Sequence, residues 1–269
     1  MSRIAGAIVH FGALDTLSAS GTPLHRLDPR AKVVTTLAFA AAVASFGKYA
    51  VLPLLPFALF PVALASAGGV PFGLLGRRLL LALPFVVLVG ALNPVLDRMP
   101  VSLGPFAVAG GWMSFTSILL RFVLTVSAAL VLVAVTGFHE VCAALGRLGV
   151  PRPLVTQLLV LHRYLFVLLE EAGRMERARS LRTFGGRGRG LPASGAFLGT
   201  LLLRTWGRAE RIHFSMLARG FDGVLRFERP LRFGAAAVLF TSGWIALFLA
   251  FRLVDVPRLL GSFLAAAAP

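Results

Sequence analysis

Five runs of apolar residues, each long enough or nearly long enough to cross a bilayer, constrain this chain more than any other feature. They cover Val33 to Phe46, Ala50 to about Ala67, Leu79 to about Leu96, Ser114 to Thr136 and Phe233 to about Leu253. One soluble core could not hide them. Of 269 residues, 57% are apolar and 14% charged, with a mean hydropathy of +0.84, whereas a soluble domain carries about a quarter charged residues. The sequence predicts an all-α, polytopic membrane protein with about five transmembrane helices and a cytoplasmic helical domain inserted before the last one. The expected division is an N-terminal tail and four spans over 1–136, cytoplasmic helices over 137–232, and a last span with its tail over 233–269.

Local signals refine the runs. Asp28 followed by Pro29 reads as an N-cap with proline in the first turn. Pro53, Pro56 and Pro61 are expected to kink the second run. Arg77 and Arg78 precede the third run, and Asn93-Pro94 marks a break in it that faces protein. Arg121 lies inside the fourth run, either as a functional intramembrane charge or snorkelling to the outer interface. "MSRIAGAIVHFGALD" is too short and mixed for a signal peptide, so the first run is expected to insert the protein.

The net charge of +16 follows from membrane topology rather than nucleic acid. Aromatic residues do not interleave the arginine clusters as an RNA-binding surface requires, and Lys and Arg gather in cytoplasmic segments. With the N-terminus inside, Arg26, Arg30, Lys32, Arg77, Arg78 and the Arg-rich middle fall in the cytoplasm. Only Lys48, Arg98 and Arg258 fall clearly outside. A multi-pass protein of the cell (inner) membrane, with its N-terminus cytoplasmic, is the expected localisation.

The middle holds three helical stretches. "HEVCAALGRL" ends at Gly149 before "VPRP". A second helix runs through "RMERARSLRTFGG", and a loop "RGRGLPASG" leads to a third, "AFLGTLLLRTWGRAERIHFSMLARGFDG". In the second helix Leu158, Leu161, Leu165, Leu168, Ala172, Met175 and Arg179 recur at steps of three and four. In the third, Leu198, Leu202, Thr205, Ala209, Ile212, Met216 and Arg219 do the same. Such a stripe keeps one helix face towards a partner. Each ridge is expected to run from the membrane boundary to a guanidinium set between small residues, Ala178 and Ser180 or Ala218 and Gly220. Small neighbours admit a partner's backbone while the arginine forks onto a carboxylate. Two such ends suit a partner presenting one groove twice, as a two-fold dimer does. Spacing alone also fits arginines merely solvated near helix C-termini. Glu170 and Glu210, each nine residues before its arginine, make the two helices look like loose copies.

Chemistry is sparse. Neither lysine, Lys32 or Lys48, sits in a GxxxxGK[ST] loop. "GGRGRG", Gly185 to Gly190, has no strand before it and reads as a flexible turn near anionic headgroups. The single cysteine, Cys142, excludes an internal disulfide. His10, His25, His139, His162 and His213 form no metal-ligating pair. No cofactor, no resident metal and no catalytic residue is expected.

"PLHRLDPRAK", "LGRLGVP", "RMERARSLR" and "RAERIHFSMLARGFDG", in that order around the runs, resemble the transmembrane T component of energy-coupling-factor transporters, in its cobalt-type form. The last segment is the most diagnostic. The resemblance implies that Ala178, Arg179 and Ser180, and Ala218, Arg219 and Gly220, end coupling helices docked on two cytoplasmic P-loop ATPase subunits. Ser180 stands where glycine is also usual. A separate membrane subunit would capture the substrate and hold the metal. The expected role is non-catalytic coupling in a cobalt importer, with nickel or, further off, a vitamin as the alternative cargo. Two rivals lie outside the class. A lipid-modifying enzyme would need an Asp or His cluster that Asp28 and Asp222 alone do not supply. An ATPase-independent carrier would transport as a purified chain.

Overall fold

The computed structural model describes residues 22, 24–96, 100–103, 106–182, 190–223 and 234–253. In chain order they form α1 (Pro29–Ala44), a 3₁₀ helix (Leu52–Ala58), α2 (Leu59–Ala67), α3 (Phe72–Gly90) and α4 (Asn93–Leu96). A two-stranded antiparallel hairpin follows, β1 (Pro100–Leu103) and β2 (Phe106–Ala109), with Pro100 opposite Ala109. Then come α5 (Gly110–Thr136), α6 (Phe138–Arg147), α7 (Arg152–Arg182), α8 (Leu191–Ala218) and α9 (Ala235–Leu253). The helical class expected from sequence holds, and the short hairpin is an addition to it. The described residues fall into two compact units that divide within α6, one up to Val141 together with α9, the other from Cys142 to Gly223.

The first unit is built as the sequence dictates. Asp28 Oδ1 accepts the Arg30 backbone N–H at 2.8 Å and Pro29 opens α1, so the cap and the proline start the helix together. The Pro-rich second run winds first as a 3₁₀ helix and continues as α2. Prolines three apart remove donors that an α-helix needs, and the tighter turn tolerates their spacing. At 3₁₀ and α rises these 16 residues reach about 28 Å, close to the hydrocarbon thickness. Phe39 from α1 stacks on Phe60 at 4.7 Å, and Phe248 from α9 meets both, at 5.4 and 5.2 Å. Trp244 closes on Phe60 at 5.0 Å. This aromatic core ties the first and last spans to the Pro-rich segment between them. Edge-to-face and offset pairs of this kind add about 0.5–1.5 kcal/mol each beyond burial.

Contacts at the helix ends fix the direction of each element. Arg252 at the end of α9 donates to Ser45 O at 3.2 Å and lies over the Phe46 ring. Arg121 donates to Gly47 O, and Ser117 to Ala50 O at 3.2 Å. Asn93, just past α3, donates to Ser114 at 3.2 Å. The ends of α1, α3 and α9 therefore gather beside the start of α5. At the other end, a Cβ on Gly68, after α2, would lie 2.5 Å from Val135 near the end of α5. Five elements thus alternate in direction, as five successive crossings would. Arg121, inside α5, thus reaches the loop that follows α1, where its guanidinium donates to a backbone carbonyl. Lys32 is buried near the start of α1, with Asp28 and Glu140 supplying opposing charge.

Two boundaries differ from the sequence reading. α3 begins at Phe72, so Arg77 and Arg78 sit inside its first turns rather than ahead of it. α8 begins at Leu191 and takes in "LPASG", read as loop. The Asn93-Pro94 break is present, and a Cβ on Gly90 would meet the Phe115 ring at 2.8 Å, so the break packs against α5. By length and composition, α3, α5, α7 and α9 are each able to cross a membrane, while α1 and Leu52–Ala67 are shorter. The chain is multi-pass. Its α7 was read as cytoplasmic from sequence, yet its first half is apolar enough to qualify as a span.

Candidate functional site

The second unit centres on α7 and α8, an antiparallel pair held in register at three points. Arg179 near the end of α7 lies 5.9 Å from the Phe197 ring near the start of α8. Glu171 Oε1 accepts from Arg204 at 2.9 Å. Thr156 near the start of α7 donates to Gly223 O, beyond the end of α8, at 3.2 Å. Glu171 is the node of this arrangement. Its Oε2 also accepts from Arg174 at 2.6 Å and lies 3.9 Å from Arg208. The donated hydrogen bonds of Arg174 and Arg204 hold its carboxyl below the ordinary glutamate value. An exposed network of this kind contributes little to stability, but it sets which turn of α7 meets which turn of α8. Sequence reasoning singled out Glu170 and Glu210 instead. Glu210 accepts from the Trp206 indole at 2.9 Å on its own helix. The signal for Glu171 was available: it sits three residues before Arg174, the spacing of a helical ion pair.

The two triplets share a sequence and differ in backbone. Ala218, Arg219 and Gly220 form the end of α8. The Phe221 N–H bonds Met216 O at 3.0 Å and the Gly220 N–H bonds Leu217 O at 2.9 Å. This is a Schellman motif, with Ala218 last in the helix, Arg219 as C-cap and Gly220 just beyond it at φ +78°. Glycine enters that left-handed region without a Cβ penalty. Ala178, Arg179 and Ser180 lie within α7, which continues to Arg182. Ser180 keeps right-handed helical geometry and donates its hydroxyl to Arg177 O at 2.8 Å. The expectation that both triplets end their helices the same way is thereby corrected. A serine stays in the helix where a glycine leaves it.

A second correction concerns direction. Because the pair is antiparallel, Arg179 and Arg219 lie at opposite ends of it rather than at the tips of two rods pointing the same way. From Phe197, beside Arg179, to Arg219 is about 33 Å along the α8 axis at 1.5 Å per residue. Arg219, Ala218, Gly220, Ala178 and Ser180 are exposed, and Arg179 is half-buried. Arg219 has no ion pair among the described residues.

The apolar stripes meet. Leu161, Leu165 and Leu168 from α7 and Leu202, Ala209 and Ile212 from α8 line one groove of about 660 Å³. No residue of α8 is buried, and Leu198, Leu202, Leu203 and Trp206 are all more than 60% exposed. This amphipathic helix presents an apolar face that α7 leaves uncovered. Among the described residues, no group of three or more His, Cys, Asp or Glu side chains could hold a metal ion. "GGRGRG" up to Arg189, His10, Arg98 and Arg258 lie outside the described residues.

A family model described as CbiQ, cobalt transport protein, matches residues 20–230. A cobalt transport protein CbiQ of Salmonella typhimurium is 32% identical over 38% of this chain and 51% of its own length. An uncharacterized protein of Methanocaldococcus jannaschii is 23% identical over 76% of this chain and 73% of its own. A second from the same organism is 29% identical over 39% of this chain and 40% of its own.

Proposed function

The chain belongs to the CbiQ family of cobalt transport proteins, and from that membership we propose that it is the coupling subunit of an energy-coupling-factor importer. In this reading it is a non-catalytic component of the cell membrane with its N-terminus in the cytoplasm. Two P-loop ATPase subunits dock on Ala178–Arg179–Ser180 and Ala218–Arg219–Gly220. A separate membrane subunit binds the substrate.

The observation that carries this reading is the separation of the two arginines. Tips about 33 Å apart at opposite ends of one antiparallel pair cannot enter a single socket. They suit two equivalent sockets on a two-fold motor, one per arginine. The helix between them is a rigid strut, so a change in socket spacing must tilt or bend the pair. Glu171 keeps α7 and α8 in register while that happens. Each arginine meets its socket differently, Arg179 from the side of a continuing helix and Arg219 from a capped end.

α7 is assigned to the cytoplasmic side although its first half is apolar enough to span. α1 and the Leu52–Ala67 segment already bury the phenylalanine core and alternate with α3, α5 and α9. Those five crossings leave the Arg-rich helices on the side that holds Arg26, Arg30, Arg77 and Arg78. Cobalt is the proposed cargo, with nickel as the alternative.

The test is uptake in cells expressing the whole transporter. Arg179→Ala with Arg219→Ala is expected to abolish ATP-driven cobalt uptake while the subunit stays in the membrane at normal abundance. Truncating one partner of a desolvated arginine–carboxylate contact costs about 2–5 kcal/mol, because the other charge stays buried. Uptake by the double variant at the native rate would remove the docking role.

A further inference from the structure

Beside the apolar groove, and sharing Tyr164, Arg208, Ile212 and Met216 with it, lies a second cleft of about 720 Å³. Arg163 of α7 and Arg208, Arg211 and Arg219 of α8 line it, with Ser215 adding a hydroxyl. No carboxylate is among its lining residues, and Glu171 approaches only Arg208, at 3.9 Å. Four arginines lining one cleft, only one of them near a carboxylate, make it cationic and favour an anionic occupant. The adjoining groove is apolar, walled by Val160, Leu161, Leu165, Leu202 and Trp206. A cationic cleft continuous with an apolar groove matches one class of molecule in both halves. We propose that this is a binding site for an anionic phospholipid, with the phosphate between Arg163 and Arg211 and an acyl chain along the groove past Trp206.

The chemistry is specific at each end. Arginine presents a planar fork that takes phosphate oxygens two at a time, and the Tyr164 and Ser215 hydroxyls can donate to the same group. Basic pockets at a membrane surface bind anionic headgroups, each cation adding about fivefold in affinity. Leu161, Leu202 and Trp206 are each more than half exposed, so the groove has room for an acyl chain along its length. A zwitterionic lipid would bring its own ammonium into a cleft that already holds four cations. The cleft borders Arg219 of the second triplet, but Arg163 and Arg211 belong to neither triplet, so replacing them tests lipid binding without altering a docking residue. A lipid seated there would wedge α7 and α8 at a fixed separation and so set the stiffness of the strut.

The experiment uses the full chain in nanodiscs or mixed micelles with phosphatidylglycerol carrying brominated acyl chains. Quenching of tryptophan fluorescence is read with and without Trp206→Phe to isolate Trp206. Phosphatidylglycerol is expected to quench Trp206 at far lower mole fraction than brominated phosphatidylcholine. Arg163→Gln with Arg211→Gln should weaken that preference about thirtyfold, following loss of two headgroup cations. Arg147→Gln with Arg182→Gln, which removes the same charge from exposed positions outside the cleft, should leave it within twofold. Equal quenching by both lipids overturns the proposal. Equal loss in the two double variants also overturns it, since the attraction is then diffuse. Inorganic phosphate at millimolar concentration should not displace the lipid; if it does so completely, the cleft is a soluble-anion site. Should the double variant fold poorly, the single variants Arg163→Gln and Arg211→Gln, each at an exposed position, must each show about a fivefold loss.

Discussion

Gly220→Ala isolates the backbone device that places Arg219. Gly220 holds φ at +78°, and an added Cβ would meet nothing within 4 Å. The cost of alanine there is therefore conformational strain without a clash. Left-handed geometry costs an L-residue about 1–2 kcal/mol. The two hydrogen bonds that depend on it run from the Gly220 and Phe221 amides to Leu217 O and Met216 O. Both should open about 5–30 times more often in the variant, by the free-energy equivalence of that strain. Hydrogen exchange on a peptide covering Met216 to Gly223, measured on the chain in nanodiscs, reads this directly. Ser180→Ala is the paired control, because Ser180 lies inside a right-handed helix. It should leave exchange around Arg179 unchanged within about threefold, the scale of helix-propensity differences. The reasoning fails if Gly220→Ala exchanges like the native chain, or if the two variants behave alike. Under the coupling proposal, Gly220→Ala should also slow uptake, because Arg219 loses its fixed exit direction.

Gly90→Ala would drive a Cβ to 2.8 Å from the Phe115 ring and should cost about 1–3 kcal/mol by overpacking, read as a lowered melting temperature of the purified chain. Glu171→Gln removes the charge that registers α7 on α8, so the distance distribution between spin labels at Leu181 and Leu198 should broaden at neutral pH. The native chain has a depressed Glu171 value, so its registry is present above the ordinary carboxylate range and is lost only as pH falls below about 4.3; broadening of the native chain at pH 6 would contradict this. The purified subunit alone should bind no cobalt stoichiometrically, which titration calorimetry checks.

Features set by local chemistry were readable before any coordinates. Asp28-Pro29 capped a helix, the prolines of the second run marked a segment that is not a uniform α-helix, with Pro53 and Pro56 in its 3₁₀ part, and Gly149 ended α6 at φ +105°. These depend on neighbours in sequence, and composition alone decides that the chain seeks a bilayer. The boundaries at Arg77 and Leu191 differ for separate reasons. Arg77 and Arg78 stay within a helix because their long side chains can reach the polar side, whereas "LPASG" opens α8 because proline is tolerated in a first helical turn. The hairpin of β1 and β2 carries no strong alternation to announce it. At the site, the stripes and the two arginines were legible. Their antiparallel placement was not, because periodicity describes one helix and says nothing of its partner's direction. The difference between Ser180 and Gly220 was visible as a letter, and became a difference in backbone only once α7 was seen to pass through Ser180.

Cross-linking tests the docking claim most directly. Cys142 is buried and is the chain's only cysteine, so Ala178→Cys and Ala218→Cys place single reactive thiols beside Arg179 and Arg219, both at exposed positions. In the assembled transporter, a short bifunctional reagent should join each of them to an ATPase subunit, and the doubly substituted chain should capture two ATPase copies. Ala209→Cys, exposed and about 15–18 Å along α8 from Arg219 and from Phe197, should capture neither. If the thiols at 178 and 218 react freely with solvent reagents yet never join an ATPase, the two arginines do not dock on the motor.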